Sequence, residues 1–248
     1  MIISDDVYGT FVDDFHSLLA DLPYNTIGVY SFSKYFGVTG WRLGTIALYQ
    51  DNVFDKLLRE LDDDKKERAR RRYAALSTNP EAIPFIDRIV ADSRQVALNH
   101  TAGLSTPQQV QMAFFSMFAL LDKENRYKQL TMDICRRRKR LLFDGLGLAL
   151  RGNPHDAAYY TQFDLLEWAC QNYGEEFAKY LQENYRPVDV LLRLAEESSI
   201  VLLSGGGFHG PEWSIRISLA NLNDASYSTI GQVLRTILEE YAAAWISH

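Results

Sequence analysis

The chain has 248 residues, 47% of them hydrophobic and 12% aromatic, which is enough to bury one large core or two smaller ones and excludes a disordered tail. A formal net charge of −6 gives no overall attraction to nucleic acid or to an anionic membrane surface, so small molecules or proteins are the expected partners. The two cysteines, Cys135 and Cys170, are too few and too far apart for a disulfide scaffold or a zinc cluster. They read as buried small hydrophobes.

In chain order, Met1-Ile2-Ile3-Ser4 is an apolar run that stops at an acidic pair, as a buried strand ending in a loop does. It starts without a turn or cap, so the rest of its sheet is expected upstream or on another chain. Residues 26–33 alternate and are rich in β-formers, and residues 42–49 predict another strand after a turn at Gly37 and Gly40. Residues 51–100 turn helical: Val53, Leu57, Leu58 and Leu61 keep helix spacing, and Pro80 and Pro84 punctuate a second stretch. Thr106-Pro107 reads as a cap followed by a first-turn proline, opening an apolar helix through 121, and a charged helix follows over 124–146. Near Gly152 the character changes, and a β-like stretch at 159–165 begins a smaller α+β unit, which sets the expected domains at 1–150 and 151–248. Helices at 175–182 and 188–197, a strand at 200–203, a glycine loop at 204–210, a strand at 213–219 and a helix from Asp224 complete the chain.

No apolar stretch reaches the roughly 18 to 20 residues a spanning helix needs, and no basic-then-apolar leader opens the chain, so the expected compartment is the cytoplasm. His16, His100, His155, His209 and His248 lack a second histidine or cysteine at ligand spacing, so no metal is expected. The charge runs at 62–72 and 136–140 fall in helices and read as solvated faces, without the interleaved aromatics a nucleic-acid surface would use.

The most informative segment is Ser31-Phe32-Ser33-Lys34-Tyr35-Phe36-Gly37-Val38-Thr39-Gly40-Trp41-Arg42. A lysine at a strand end, with hydroxyls one and three residues before it and an arginine eight after, sets a potential nucleophile beside an anion site. Lysine can lose its proton and attack a carbonyl, whereas the rigid arginine fork suits a phosphate dianion. About thirty residues earlier stands Ser4-Asp5-Asp6-Val7-Tyr8-Gly9-Thr10-Phe11, a carboxylate and a phenol just past a strand. In Trp213-Ser214-Ile215-Arg216-Ile217-Ser218-Leu219-Ala220 an arginine sits among apolar strand residues, where a guanidinium needs an anionic partner.

Together these segments resemble the fold-type I pyridoxal 5′-phosphate enzymes of the aminotransferase superfamily. The resemblance implies an α/β chain: the C-terminal half of an aspartate aminotransferase-like fold, with part of the large-domain sheet followed by a small C-terminal domain. It implies Lys34 as the Schiff-base lysine and general base, and Ser31, Ser33 and Arg42 around the cofactor phosphate. Asp5 is implied against the ring nitrogen, Tyr8 at the ring hydroxyl and Arg216 on the substrate α-carboxylate. Within the superfamily the chain looks like the aspartate 4-decarboxylase family, on three features: an added helical stretch at about 51–91, Asn99-His100-Thr101-Ala102-Gly103-Leu104-Ser105-Thr106-Pro107, and Ala158-Tyr159-Tyr160. Thr101 would then lie near the active site. The implied activity is β-decarboxylation of L-aspartate to L-alanine with transamination as a side activity, in a homo-oligomer. Two other readings stand: an aspartate aminotransferase, and an inert fragment without the upstream part of the cofactor site, exposing apolar surface where that part would pack.

Overall fold

The computed structural model describes residues 1–95, 104–150, 152–153 and 155–247. They divide into two units, Met1–Arg126 and Tyr127–His248.

The first unit opens with β1 (Ile2–Asp5), followed by α1 (Leu18–Asp21), β2 (Thr26–Ser31), a single turn of helix α2 (Phe32–Tyr35) and β3 (Gly44–Leu48). β1 pairs parallel with β2, Asp5 opposite Val29, and β2 pairs antiparallel with β3, Ser31 opposite Gly44. The β2 strand ends two residues earlier than its alternation predicts because the Ser31 hydroxyl accepts the Ser33 N–H at 3.2 Å and so caps a helical turn. Lys34 therefore lies in α2 rather than at the strand end.

The expected helical stretch resolves into α3 (Val53–Arg59), α4 (Asp63–Tyr73) and α5 (Phe85–Arg94). Asn52 and Asp62 cap the first two through the Asp55 and Lys65 amides. Phe54 of α3 stacks on Phe85 of α5 with ring centroids 4.9 Å apart, and the Asp55 carboxylate accepts the Phe85 N–H at 2.7 Å. The next helix, α6 (Thr106–Leu121), is capped by Ser105 rather than Thr106, because the Gln108 amide oxygen reaches back to the Ser105 N–H at 3.0 Å. None of its residues is buried, and Leu120 and Leu121 are 78% and 74% exposed, as is Ile3 at 73%.

In the second unit α7 (Arg126–Leu146) leads to β4 (Tyr160–Asp164), α8 (Leu165–Tyr173), α9 (Glu175–Asn184), α10 (Pro187–Ser198), β5 (Leu203–Ser204), β6 (Ser214–Ser218) and α11 (Asp224–Ile246). The strands form an antiparallel sheet in the order β4-β6-β5. The first strand of this sheet begins at Tyr160, and α7 groups with the second unit because Leu142 and Leu146 lie in its core with Ile215, Ile217, Tyr227 and Leu234. Asp164 ends β4 and caps α8 by accepting the Leu166 and Glu167 amides. Leu165, Trp168 and Ala169 of α8 turn inward at helix spacing, which leaves Cys170 exposed, contrary to expectation; Cys135 is buried as expected. No described helix is long and apolar enough to cross a membrane.

The α7–α11 crossing rests on two glycines. A Cβ on Gly145 would stand 2.7 Å from the Ser228 carbonyl oxygen, and one on Gly231 would run into the Leu142 carbonyl. Backbone obstructs both, so neither helix can yield by a rotamer change. The Asp224 carboxylate at the start of α11 meets Arg137 at 2.7 Å and Arg138 at 2.9 Å, and these guanidinium groups hold its carboxyl below the usual range. Gly231→Ala should destabilise the chain by about 1–3 kcal/mol in urea unfolding. Gly152→Ala, whose Cβ would meet nothing within 4 Å, is the matched control and should not. Equal stabilities for the two variants would refute the close crossing.

Candidate active site

Parallel strands end on the same edge of a sheet, and an antiparallel neighbour begins there. Asp5 is the last residue of β1, Ser31 the last of β2, and Arg42 lies two residues before β3 begins. The register thus brings Asp5, Tyr8, Ser31, Ser33, Lys34 and Arg42 to one edge, beyond the carboxyl ends of the parallel pair, where open α/β sheets bind ligands. Arg216 stands in the sheet of the second unit. Thr101 falls outside the described residues.

The adjacent carboxylates at the end of β1 differ in employment. Asp6 accepts the Ser4 hydroxyl at 2.6 Å and the Ser17 hydroxyl at 2.5 Å, one on each oxygen, which ties the loop to the start of α1. Asp5 is exposed and, among the described residues, accepts only the Val7 N–H at 3.2 Å, through Oδ1. Its Oδ2 is engaged by no described group. Tyr8, half-buried, opens the 3-10 turn Gly9–Phe11, and its carbonyl accepts the Phe11 N–H at 3.0 Å.

Ser31 and Ser33 also differ. The Ser31 hydroxyl donates to the Leu43 carbonyl at 3.0 Å while accepting the Ser33 amide, so its single proton is already used in joining β2 to the approach of β3. Ser33 is only 4% exposed, and its carbonyl accepts the Thr39 hydroxyl at 3.3 Å. Lys34 is half-buried in the turn that Ser31 caps. Arg42 is exposed and takes a left-handed backbone, φ 55°, with Nη1 3.3 Å from the Thr39 carbonyl. That conformation costs a non-glycine residue about 1–2 kcal/mol, a strain that collects at functional loops.

The sequence did not reveal what braces this loop. Phe115 of α6 stacks on Phe36 at 4.5 Å and lies 6.2 Å from both Phe32 and Trp41, and Gln108 donates to the Trp41 carbonyl at 3.0 Å. The apolar run of α6 was the one available signal.

In the second unit, Arg216 lies at the middle of β6, opposite Gln162 on β4 and Leu203 on β5. Its guanidinium carbon sits 4.0 Å from the centre of the Tyr160 ring and 4.0 Å from that of Phe208. No carboxylate pairs with it among the described residues. Phe208 reaches the strand because the glycine loop folds back: the Gly205 N–H donates to the Ser214 carbonyl at 2.7 Å, and a Cβ on Gly205 would strike the Ser214 hydroxyl. Neither ring was assigned a part by sequence reasoning, although Tyr160 belonged to a segment with family character.

The edge fits pyridoxal phosphate on its donor set: a carboxylate with an oxygen to spare, a phenol, a lysine, and a left-handed arginine beside a buried serine. Comparison with known proteins agrees. A bifunctional aspartate aminotransferase and L-aspartate β-decarboxylase from a Pseudomonas species is 51% identical over 240 residues, 97% of this chain and 45% of that protein. LysN, an α-aminoadipate aminotransferase from Thermus thermophilus solved with N-(5′-phosphopyridoxyl)-L-leucine, matches with a TM-score of 0.59 at 17% identity, over 98% of this chain and 51% of its own. YbdL from Escherichia coli, with a methionine aminotransferase function, matches with a TM-score of 0.53 at 18% identity, over 94% of this chain and 49% of its own. The chain thus spans about half the length of the relatives it matches. The model of the family described as aminotransferase class I and II matches residues 1–234. The chain belongs to this family of aminotransferases, whose cofactor is pyridoxal 5′-phosphate.

Proposed function

We propose that this chain is the lysine-bearing C-terminal half of a cytoplasmic, homo-oligomeric enzyme that converts L-aspartate to L-alanine and carbon dioxide, with aspartate transamination as a side activity. One observation carries the reading: 51% identity along 97% of the chain to a protein with both activities in its name. The sheet-edge register supports it, because it gathers the lysine, carboxylate and arginine that such chemistry requires.

Pyridoxal phosphate, when bound, would supply an electron sink both for the pair left when the α-proton is removed and for the pair left at the β-carbon when the side-chain carboxylate departs. Lys34 would hold the cofactor through Nζ, and as a free amine the same atom would take the α-proton and return a proton as general acid. The Asp5 carboxylate, with Oδ2 to spare, keeps a proton on the ring nitrogen. Tyr8 donates to the ring hydroxyl. Ser33 and Arg42 hold the phosphate, and Ser31 either holds the turn or exchanges its Leu43 bond for a phosphate oxygen. Arg216 receives the α-carboxylate with two parallel hydrogen bonds, its plane set beforehand by Tyr160 and Phe208. Thr101 is assigned to the substrate's surroundings. In the net reaction the β-carboxylate departs as carbon dioxide and a proton takes its place. Transamination instead leaves the β-carboxylate in place and passes the amino group to a keto acid, and the family's name favours it as the second reading.

Added pyridoxal phosphate should give the chain the visible absorption band of the lysine-bound cofactor, and Lys34→Ala should abolish it. A band that survives the substitution removes Lys34 from the role; no band in folded, unaltered protein favours an inert fragment.

In the active assembly, aspartate without any keto acid should give alanine and carbon dioxide over many turnovers. Arrest after one half-turnover to oxaloacetate would leave transamination alone.

Arg216→Lys keeps the charge but loses the fork, and should raise KM for aspartate roughly ten- to a hundredfold. An unchanged KM would detach Arg216 from the substrate carboxylate.

A further inference from the structure

Most cations of α4 form the solvated, paired face expected of a charge run. Lys65 meets Asp62 at 2.6 Å, Arg71 meets Glu67 at 3.0 Å, Arg72 meets Asp92 at 2.9 Å, and Arg70 is shared between Glu67 and Glu81. Lys66 is different. It is half-buried and, together with Arg59 at the end of α3 and Arg88 of α5, lines a cavity of about 290 Å³. No carboxylate pairs with any of the three among the described residues, and the acid on the cavity wall, Glu81, is taken by Arg70.

Arg88 is the least expected of them, because it is only 7% exposed. Its Nε donates to the Ile83 carbonyl at 2.9 Å, and its Nη2 donates to the Glu81 carbonyl at 3.1 Å and the Pro80 carbonyl at 3.3 Å. Its guanidinium carbon stands 5.2 Å from the centre of the Tyr73 ring. Carbonyls and a ring face lower the cost of burying the charge but do not neutralise it, and Nη1 is engaged by no described group. Leu58, Leu61 and Ala69 supply apolar wall between the cations, and Asn79 a neutral amide.

We propose that this cavity is a binding site for a small organic carboxylate, its anionic end held by Lys66, Arg59 and Arg88 Nη1 and its hydrocarbon part against Leu58 and Leu61. An apolar wall beside unpaired cations suits an anion with a carbon skeleton better than a hydrated inorganic ion, and the volume suits a short one. The site shares no residue with the Lys34 edge or with Arg216, so it does not depend on the proposed reaction.

The test is to titrate the full chain with butyrate at constant ionic strength and follow amide hydrogen exchange over residues 58–88. Saturable protection is expected, with the midpoint moved at least about tenfold by Lys66→Ala and largely restored by Lys66→Arg. Absence of protection in the unaltered chain, or an equal midpoint in Lys66→Ala, would overturn the proposal. So would loss of protection in Arg216→Ala, which would locate butyrate at the proposed substrate arginine, or equal protection by inorganic phosphate.

Discussion

The site depends on the parallel pairing of β1 with β2. Two strands running the same way end on the same edge, so a carboxylate at the end of one and a lysine just past the end of the other reach that edge together although about thirty residues separate them in sequence. The pleat makes this arrangement strict. A one-residue slip would exchange the faces of Asp5 and Asp6, giving the outward position to the acid that already serves Ser4 and Ser17. The antiparallel return of β3 then brings Arg42 back to the same edge without any long-range helix.

One hydroxyl fastens this edge. Ser31 accepts from the α2 backbone and donates to Leu43, so the end of β2, the Lys34 turn and the residue following Arg42 are joined at a single oxygen. A four-residue helix is too short to hold itself by its own ladder, and Arg42 carries left-handed strain, so the loop requires outside support. The aromatic contacts of Phe115 with Phe36, Phe32 and Trp41 supply it, with the Gln108 bond to the Trp41 carbonyl. The apolar content of α6 serves the position of the lysine as much as any core of its own.

What could be read in the sequence follows from what is local. An apolar run revealed β1 and alternation revealed β2, helix spacing revealed α3, and a cap-and-proline opening with an apolar run revealed α6. The Lys34 turn was hidden because one turn has no periodicity to detect, and α8 because Asp164 both ends a strand and caps a helix without any glycine or proline between them. Ser105 was overlooked as a cap because Thr106-Pro107 offers the stronger local pattern, while the deciding bond comes from Gln108. The strand predicted at 200–203 shrinks to Leu203–Ser204, since only these two residues find partners on β6. Contacts between distant residues, such as Tyr160 and Phe208 on Arg216, leave no local trace.

That bracket bears on why a strand interior would hold an arginine without an acid. A carboxylate neighbour would satisfy the guanidinium permanently, and an incoming anion would have to displace it at the cost of a charge left unpaired. Ring faces attract the cation and fix its plane, worth about 0.5–2 kcal/mol for each contact, yet leave the positive charge and the hydrogen-bond donors along the guanidinium edge available. Tyr160 and Phe208 come from opposite flanks of Arg216, one from β4 and the other from the glycine loop, and each ring centre stands 4.0 Å from the guanidinium carbon. The glycines of that loop acquire a function on this view: bulk at position 205 would collide with Ser214, shift the turn and remove Phe208 from its side of the guanidinium, freeing the arginine to seek a structural acid instead.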